Sequence, residues 1–234
     1  VTLCCYGGNG EGFPVVYSTS GHQDLYDYTI KAFNTAWKYQ VPTIVLGDGY
    51  QAKMREAVTM YDPASRGIEM EPTTPFVGAP GCPGIDREPS FYRNTYNTEE
   101  ELLDVVTDLK AHYESFKEEV IEYEQMDVED AEIVVVGHGV VSRACKEAVK
   151  MLRKEGYKVG YFRPITLRPF PDKQLAAAVE GKKNILVVES ALGQMKRFIT
   201  EGLYGMTVPI SEYFKPGKGV SSDELVDHVK TMMK

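Results

Sequence analysis

The side chains in this sequence that could do chemistry stand where short apolar runs end. Ile133-Val134-Val135-Val136 leads into Gly137-His138-Gly139 and then into a helical pattern. Backbone N–H groups at a helix N-terminus favour a pyrophosphate, so Gly137 and Gly139 invite a dinucleotide-binding reading. Ser142 stands where that fingerprint wants a third glycine, and Arg163, not an acidic residue, closes the next run. An arginine there suits a 2′-phosphate, whereas a plain strand-to-helix turn explains the glycines without any nucleotide. Glu189 closes a third apolar run, and Gly193 and Gln194 open the helix after it. Asp48 follows Thr43-Ile44-Val45-Leu46-Gly47, and Gln23 and Asp24 open a helix near the start. Open α/β sheets bind ligands at such carboxyl edges. The same residue types also cap helices, so both readings stand.

Other chemistries lack their residues. There is no Gly-x-Ser-x-Gly elbow and no Walker-type loop. Cysteines stand at 4, 5, 82 and 145 with no Cys-x-x-Cys pair, and histidines at 22, 112, 138 and 228 are scattered. Local motifs therefore build neither a zinc ribbon nor a cysteine-ligated cluster. Cys4, Cys5, Cys82 and Cys145 read as buried or surface thiols of a reducing compartment.

The elements that must position these residues follow an α/β grammar. Residues 1–6 read as a strand, 7–12 as a glycine turn and 13–17 as a second strand. Leu25, Tyr28, Ala32, Phe33, Ala36 and Trp37 share one face of a helix over 23–39, with Ser20 or Asp24 as its cap. Residues 43–46 form a buried strand. From 56 to 97 prolines at 63, 72, 75, 80, 83 and 89 interrupt every periodic run, which suggests an extended connection packed on partners. Thr98 and Glu101 form a capping-box pattern for a helix to about residue 123 that links two domains. Strands at 133–136, 158–163 and 185–189 then alternate with helices at 141–155, 172–179 and 193–203. A capped helix from 221 to 233 closes the chain, and Gly156 stops one helix in the left-handed conformation.

Composition bounds the function. The chain has 234 residues, with 26 Lys and Arg against 34 Asp and Glu, a formal charge of −8. That acidic balance argues against a phosphate-tracking nucleic-acid binder. No apolar run approaches the ~18 residues of a membrane span, and no basic segment precedes an apolar block at the start. The sequence reads as a cytoplasmic protein with no nucleic-acid or membrane partner.

Taken in order, these motifs resemble the α subunit of 2-oxoacid:ferredoxin oxidoreductases, thiamine-diphosphate enzymes that oxidatively decarboxylate 2-oxoacids. Gln23-Asp24-Leu25 ahead of Ala32-Phe33 is similar to that family's S-x-Q-[ED]-[ML] helix start. Pro42-Thr43-Ile44-Val45-Leu46-Gly47-Asp48 is similar to its P-V-[IV]-V-L-x-D strand. Gly137-His138-Gly139, Leu167-Arg168-Pro169-Phe170-Pro171, and Glu189 with Gly193-Gln194-Met195 continue the likeness. Ala191 stands where the family pattern has Asn. The family's Tyr-Pro-Ile-Thr-Pro run, its substrate arginine and its early acidic residue are not among these residues, which implies a fragment or one product of a split gene.

The resemblance implies parallel-sheet layers in three parts. Residues 1–60 would be the remainder of a thiamine-diphosphate-type pyrimidine-binding domain, 61–128 an extended connection and linking helix, and 129–234 a transketolase C-terminal-like domain. It further implies that Gln23, Asp24 and Asp48 face the cofactor cleft. Gly137, Gly139, Glu189, Gly193 and Gln194 would line its edge or a subunit contact. Thiamine diphosphate and Mg²⁺ would be shared with or held by a β subunit, iron–sulfur clusters would sit in γ and ferredoxin-like δ subunits or domains, and coenzyme A would be co-substrate. Electrons would go to ferredoxin, no catalytic residue or metal would be carried by this chain alone, and the isolated chain would be inactive. A transketolase-like β chain of a 2-oxoacid dehydrogenase, a non-catalytic assembly module and an NADP-binding domain are the alternatives.

Overall fold

The computed structural model describes residues 1–8, 11–73 and 95–234. Cys82 and the prolines at 75, 80, 83 and 89 lie outside the described residues. In chain order the elements are α1 (Thr2–Tyr6), β1 (Val15–Ser18), α2 (His22–Tyr39), β2 (Thr43–Leu46), α3 (Gly49–Lys53), α4 (Glu99–Val120) and β3 (Tyr123–Met126). They continue with β4 (Ile133–Gly137), α5 (Val141–Lys154), β5 (Val159–Pro164), β6 (Thr166–Arg168), α6 (Asp172–Val179), β7 (Asn184–Glu189), α7 (Gln194–Gly202), β8 (Ile210–Phe214) and α8 (Ser222–Met232).

Two sheets result. The larger has the order β3-β5-β4-β7-β8, parallel except for β3. Its central strands are buried on both faces, which is why they read as unbroken apolar runs. Val135, Tyr161, Leu186 and Val188 face α5 and α8 on one side. Val134, Val136, Phe162, Ile185 and Val187 face α6 and α7 on the other. The smaller sheet has the order β2-β1-β6, with β2 parallel and β6 antiparallel to β1. Val15 and Tyr17 on one face of β1 pack with Ala32 of α2 and with Tyr113, Phe116 and Val120 of α4. Val16 on the other face packs with Leu167 and with Cys5 of α1.

The larger sheet grows outward from β4 to β5 and then returns past β4 to β7. Its strand order therefore reverses between β4 and β7, the position at which open α/β sheets form a crevice beyond the strands' carboxyl ends. No helix among the described residues is long and apolar enough to cross a membrane.

Several expectations need correction. Residues 1–6 are not a strand. Thr2–Tyr6 form one helical turn, with Cys5 docked into the packing of Val16, Leu167 and Phe198. The helix expected to run to residue 123 stops at Val120, and residues 123–126 leave it as the antiparallel edge strand β3. The strands β6 and β8 carry no sequence signal of their own: β6 is three residues between prolines, and β8 is a half-buried edge. β2 is half-buried rather than buried. The Thr98 hydroxyl caps α4 by accepting from the Glu101 N–H, but the Glu101 carboxylate turns to the Asn97 N–H instead of closing the box. At α8 the box is complete, between Ser221 and Glu224.

Candidate functional site

The carboxyl ends of the two sheets face each other across a cavity of about 160 Å³. Ser18, Thr19 and Asp48 come to it from the ends of β1 and β2, and His138, Gly139 and Glu189 from the reversal point between β4 and β7. The Ser18 hydroxyl and His138 Nδ1 share a hydrogen bond of 3.0 Å across it. Loss of solvent pushes the His138 imidazole down to about 4, with the Val1 amine and Arg163 charges acting the same way. The ring is therefore neutral at pH 7, able to donate from one nitrogen and accept at the other.

Each wall is held by the backbone beneath it. Asp48 is the N-cap of α3: its Oδ1 accepts from the Tyr50 and Gln51 N–H groups at 2.8 and 3.0 Å. Gln51, 2% exposed, returns the favour by accepting from the Asp48 N–H and donates to the Thr19 carbonyl at 3.0 Å. Glu189, also 2% exposed, accepts from the Met195 and Lys196 N–H groups at 3.1 and 2.9 Å, one per carboxylate oxygen. A carboxylate at that helix N-terminus is held by the dipole as well as by the two bonds. Gly139 has φ of 62°, a left-handed turn that glycine adopts without strain; the space beside it, with Asp48 Oδ2 3.8 Å from an added Cβ, would itself admit a side chain.

The sequence-selected residues divide. Asp48, Gly139 and Glu189 meet at the cavity. Gly137 sits one residue behind it, where a Cβ would come within 2.8 Å of the Cys145 Sγ of α5. Gly193 starts α7 with φ of 82°, and Gln194 accepts from the Val1 and Thr2 nitrogens at 3.1 and 3.3 Å. Gln23 is elsewhere: its amide exchanges hydrogen bonds with the Thr59 backbone and donates to Asp27. Asp24 is not the cap of α2, whose N-cap is Gly21. It accepts from the Ser20 N–H and hydroxyl at 2.9 and 2.7 Å and from Arg163 Nη2 at 2.6 Å.

That last contact corrects the dinucleotide reading. Arg163 is 6% exposed and its Nη2 also donates to the Ser18 carbonyl, so the guanidinium lies inside the fold and is not presented to a nucleotide at the surface. Burial alone would raise the Asp24 carboxyl; the Arg163 charge and the Ser20 bonds outweigh it and hold Asp24 below the ordinary carboxylate value. A second clamp lies nearby. Glu56 accepts from the His22 N–H and ring and from Arg143, and these hydrogen bonds, the Arg143 one foremost, lower it to about 2.

Ser18, Thr19, Gln51 and His138 escaped sequence reasoning. Only His138, flanked by two glycines at a strand end, carried a usable signal; the others are common polar residues selected by the tertiary fold.

The cavity does not fit thiamine diphosphate with Mg²⁺ as a self-contained site. Activation of the cofactor needs a carboxylate on the pyrimidine nitrogen, and both Glu189 oxygens and one Asp48 oxygen are already engaged by backbone N–H groups. Among the described residues no three His, Cys, Asp or Glu side chains come together to hold a metal ion.

Comparison with known proteins gives consistent matches. Residues 10–125 match the family model described as pyruvate flavodoxin/ferredoxin oxidoreductase, thiamine diP-bdg, and residues 131–223 match pyruvate:ferredoxin oxidoreductase core domain II. The ketoisovalerate oxidoreductase subunit VorB of Methanothermobacter marburgensis is 34% identical over 193 residues, which are 82% of this chain and 53% of that one. The 2-oxoglutarate synthase subunit KorA of the same organism is 30% identical over 213 residues, 81% of this chain and 56% of that one. The fold matches a chain of the 2-oxoglutarate:ferredoxin oxidoreductase from Magnetococcus marinus with 2-oxoglutarate, coenzyme A and succinyl-CoA bound, at a TM-score of 0.72 and 22% identity, over 100% of this chain and 45% of that one. The chain thus spans about half the length of the relatives it matches. With two adjacent family models covering most of its residues in order, the chain belongs to the subunits of 2-oxoacid:ferredoxin oxidoreductases.

Proposed function

We propose that this chain is the later portion of an α subunit of a thiamine-diphosphate-dependent 2-oxoacid:ferredoxin oxidoreductase. The reaction is oxidative decarboxylation of a 2-oxoacid to an acyl-coenzyme A, with the electrons passed to ferredoxin through iron–sulfur clusters of γ and δ partners. The β subunit holds thiamine diphosphate and Mg²⁺. This chain closes the cleft from the pyrimidine side, with Asp48, Gly139 and Glu189 shaping its edge and Gln23 and Asp24 fixing the helix behind it. It works in the cytoplasm and is inactive by itself.

The observation that carries this reading is the meeting of the two sheets' carboxyl ends at the point where the larger sheet reverses its strand order. The engagement of both Glu189 oxygens by helix N–H groups agrees with it, since a chain that only completes a cleft needs no acid of its own for the cofactor.

The test is native mass spectrometry with an iron assay on the protein purified from its source, followed by 2-oxoacid-dependent reduction of ferredoxin. Pyruvate, 2-oxoglutarate, and branched and aromatic 2-oxoacids are screened with and without coenzyme A. Iron-bearing partners and thiamine diphosphate in the assembly, with turnover of one of these acids, are expected. An assembly that binds no thiamine diphosphate and reduces no ferredoxin overturns the reading and leaves a non-catalytic assembly module.

A further inference from the structure

Helix α4 carries one apolar stripe along its whole length, but the fold uses only half of it. Tyr113, Phe116 and Val120 are 6, 3 and 3% exposed in the core against β1 and α2. Leu102 and Leu109 continue the same stripe at helical spacing, yet they are 46 and 47% exposed, with Leu103 beside them at 65%. At about 1.5 Å per residue, this half of the helix projects roughly 15 Å beyond the packed half. Where the two halves meet, the stripe runs into a groove of about 920 Å³ floored by Tyr6, Phe13, Tyr113 and Phe198.

Charge selects the occupant. The projecting half carries Glu99, Glu100, Asp104 and Asp108, and no ion pair engages these four among the described residues. The groove itself is of mixed charge: Lys110, Lys117 and Arg168 line it beside Glu11 and Glu201, while Glu114 pairs with Lys117 and Glu118 with Lys173, so the unbalanced acidity belongs to the projecting half. A second copy docked through this same half of α4 would bring these four carboxylates against their counterparts, which like-charge repulsion opposes. We propose that the projecting half of α4 and the groove at its foot receive an amphipathic segment of another subunit, one with apolar side chains flanked by lysine and arginine. Helix-in-groove docking of this kind places anchors at three- and four-residue steps, the spacing that Leu102, Val106 and Leu109 present. From the proposed function this inference takes only that other subunits are present.

The test is made on the assembly purified from its source. Carbodiimide, which joins a carboxylate to a lysine amine in direct contact, is applied to it and to the isolated chain, and peptides are mapped by mass spectrometry. Expected are links from Glu100, Asp104 or Asp108 to lysines of another subunit, and at least tenfold slower amidation of these carboxylates by glycine ethyl ester in the assembly than in the isolated chain. Links confined to this chain, links between two copies of it, or equal amidation in both samples each overturn the proposal. The paired variant Leu102→Asp/Leu109→Asp, at positions already exposed, is expected to keep the isolated chain's circular dichroism and melting midpoint while weakening assembly at least tenfold; unchanged assembly overturns the proposal. An assembly protected at α4 that turns over no 2-oxoacid would sink the functional reading alone. One that turns over a 2-oxoacid with α4 open would sink the docking surface alone.

Discussion

Arg163 at the end of β5 places its Nη2 2.6 Å from Asp24 Oδ2 in the first turn of α2, so an ion pair with a buried guanidinium and a partly buried carboxylate joins the larger sheet to the helix that covers the smaller one. The same guanidinium donates to the Ser18 carbonyl at the floor of the cavity. The geometry of the cleft therefore depends on a pair that touches none of its contents.

Removing one partner of that pair strands the other. Arg163→Met is expected to cost about 3–5 kcal/mol, because it leaves the Asp24 carboxylate without its cation. Urea denaturation measures this, and a loss below about 1 kcal/mol would refute the assignment. Since Asp24 is held below its ordinary value of 3.8, the pair's stabilisation is complete above that value and is lost as pH falls through the lower, folded one. Arg163→Met should therefore flatten the acid limb of the stability profile.

Glu56 makes a contrasting case. Arg143 is about half exposed, so water and salt screen its pairing with Glu56. Glu56→Gln is expected to cost about 1 kcal/mol, and less at high ionic strength. A cost equal to that of Arg163→Met, and insensitive to salt, would show that the second clamp is as buried in effect as the first.

His138 should stay neutral well into the acid range. An unfolded imidazole titrates at 6.5 and the folded one at about 4, so the unfolded chain binds the proton first as pH falls. The contribution of His138 to stability is thus present above 6.5 and is lost progressively towards 4. Nitrogen-detected NMR of the ring reads this directly. A midpoint near 6.5 in the folded protein would mean that the cavity is wet and open.

Gly137 offers a test of packing against anion binding. Gly137→Ala sets a methyl group 2.8 Å from Cys145 Sγ and is expected to destabilise by about 1–3 kcal/mol. In Gly137→Ala/Cys145→Ala the clash is relieved, so a double-mutant cycle should show coupling above about 0.5 kcal/mol. Additive effects would mean that the glycine is needed for something other than room beside α5.

What could be read from the sequence follows from burial. β4 and β7 are apolar without interruption because both faces of the central sheet are covered, and α5 and α8 show clean helical spacing because each buries one face. Edge elements gave no such trace: β3 alternates exposed and half-buried residues, and Tyr123-Glu124-Gln125-Met126 extends a helical pattern equally well. At the site, Asp48 and Glu189 were found because strand ends are predictable, and the helix-cap reading kept open for them is the one the fold realises, with α3 and α7 beginning one and five residues later. The role of Arg163 was left open for a related reason. Its place at a strand end was visible, but its partner Asp24 lies 139 positions away in the chain.

The pairing of β6 with β1 has a consequence for synthesis. β1 is wholly buried, yet its second neighbour is made of residues 166–168, which leave the ribosome after β3, β4, α5 and β5. Until then the nascent chain carries a strand of Val15, Val16 and Tyr17 with one open, sticky edge. A product that ends before Arg168 cannot finish the smaller sheet. Completion of the smaller sheet therefore waits for a strand made much later in the chain than β1.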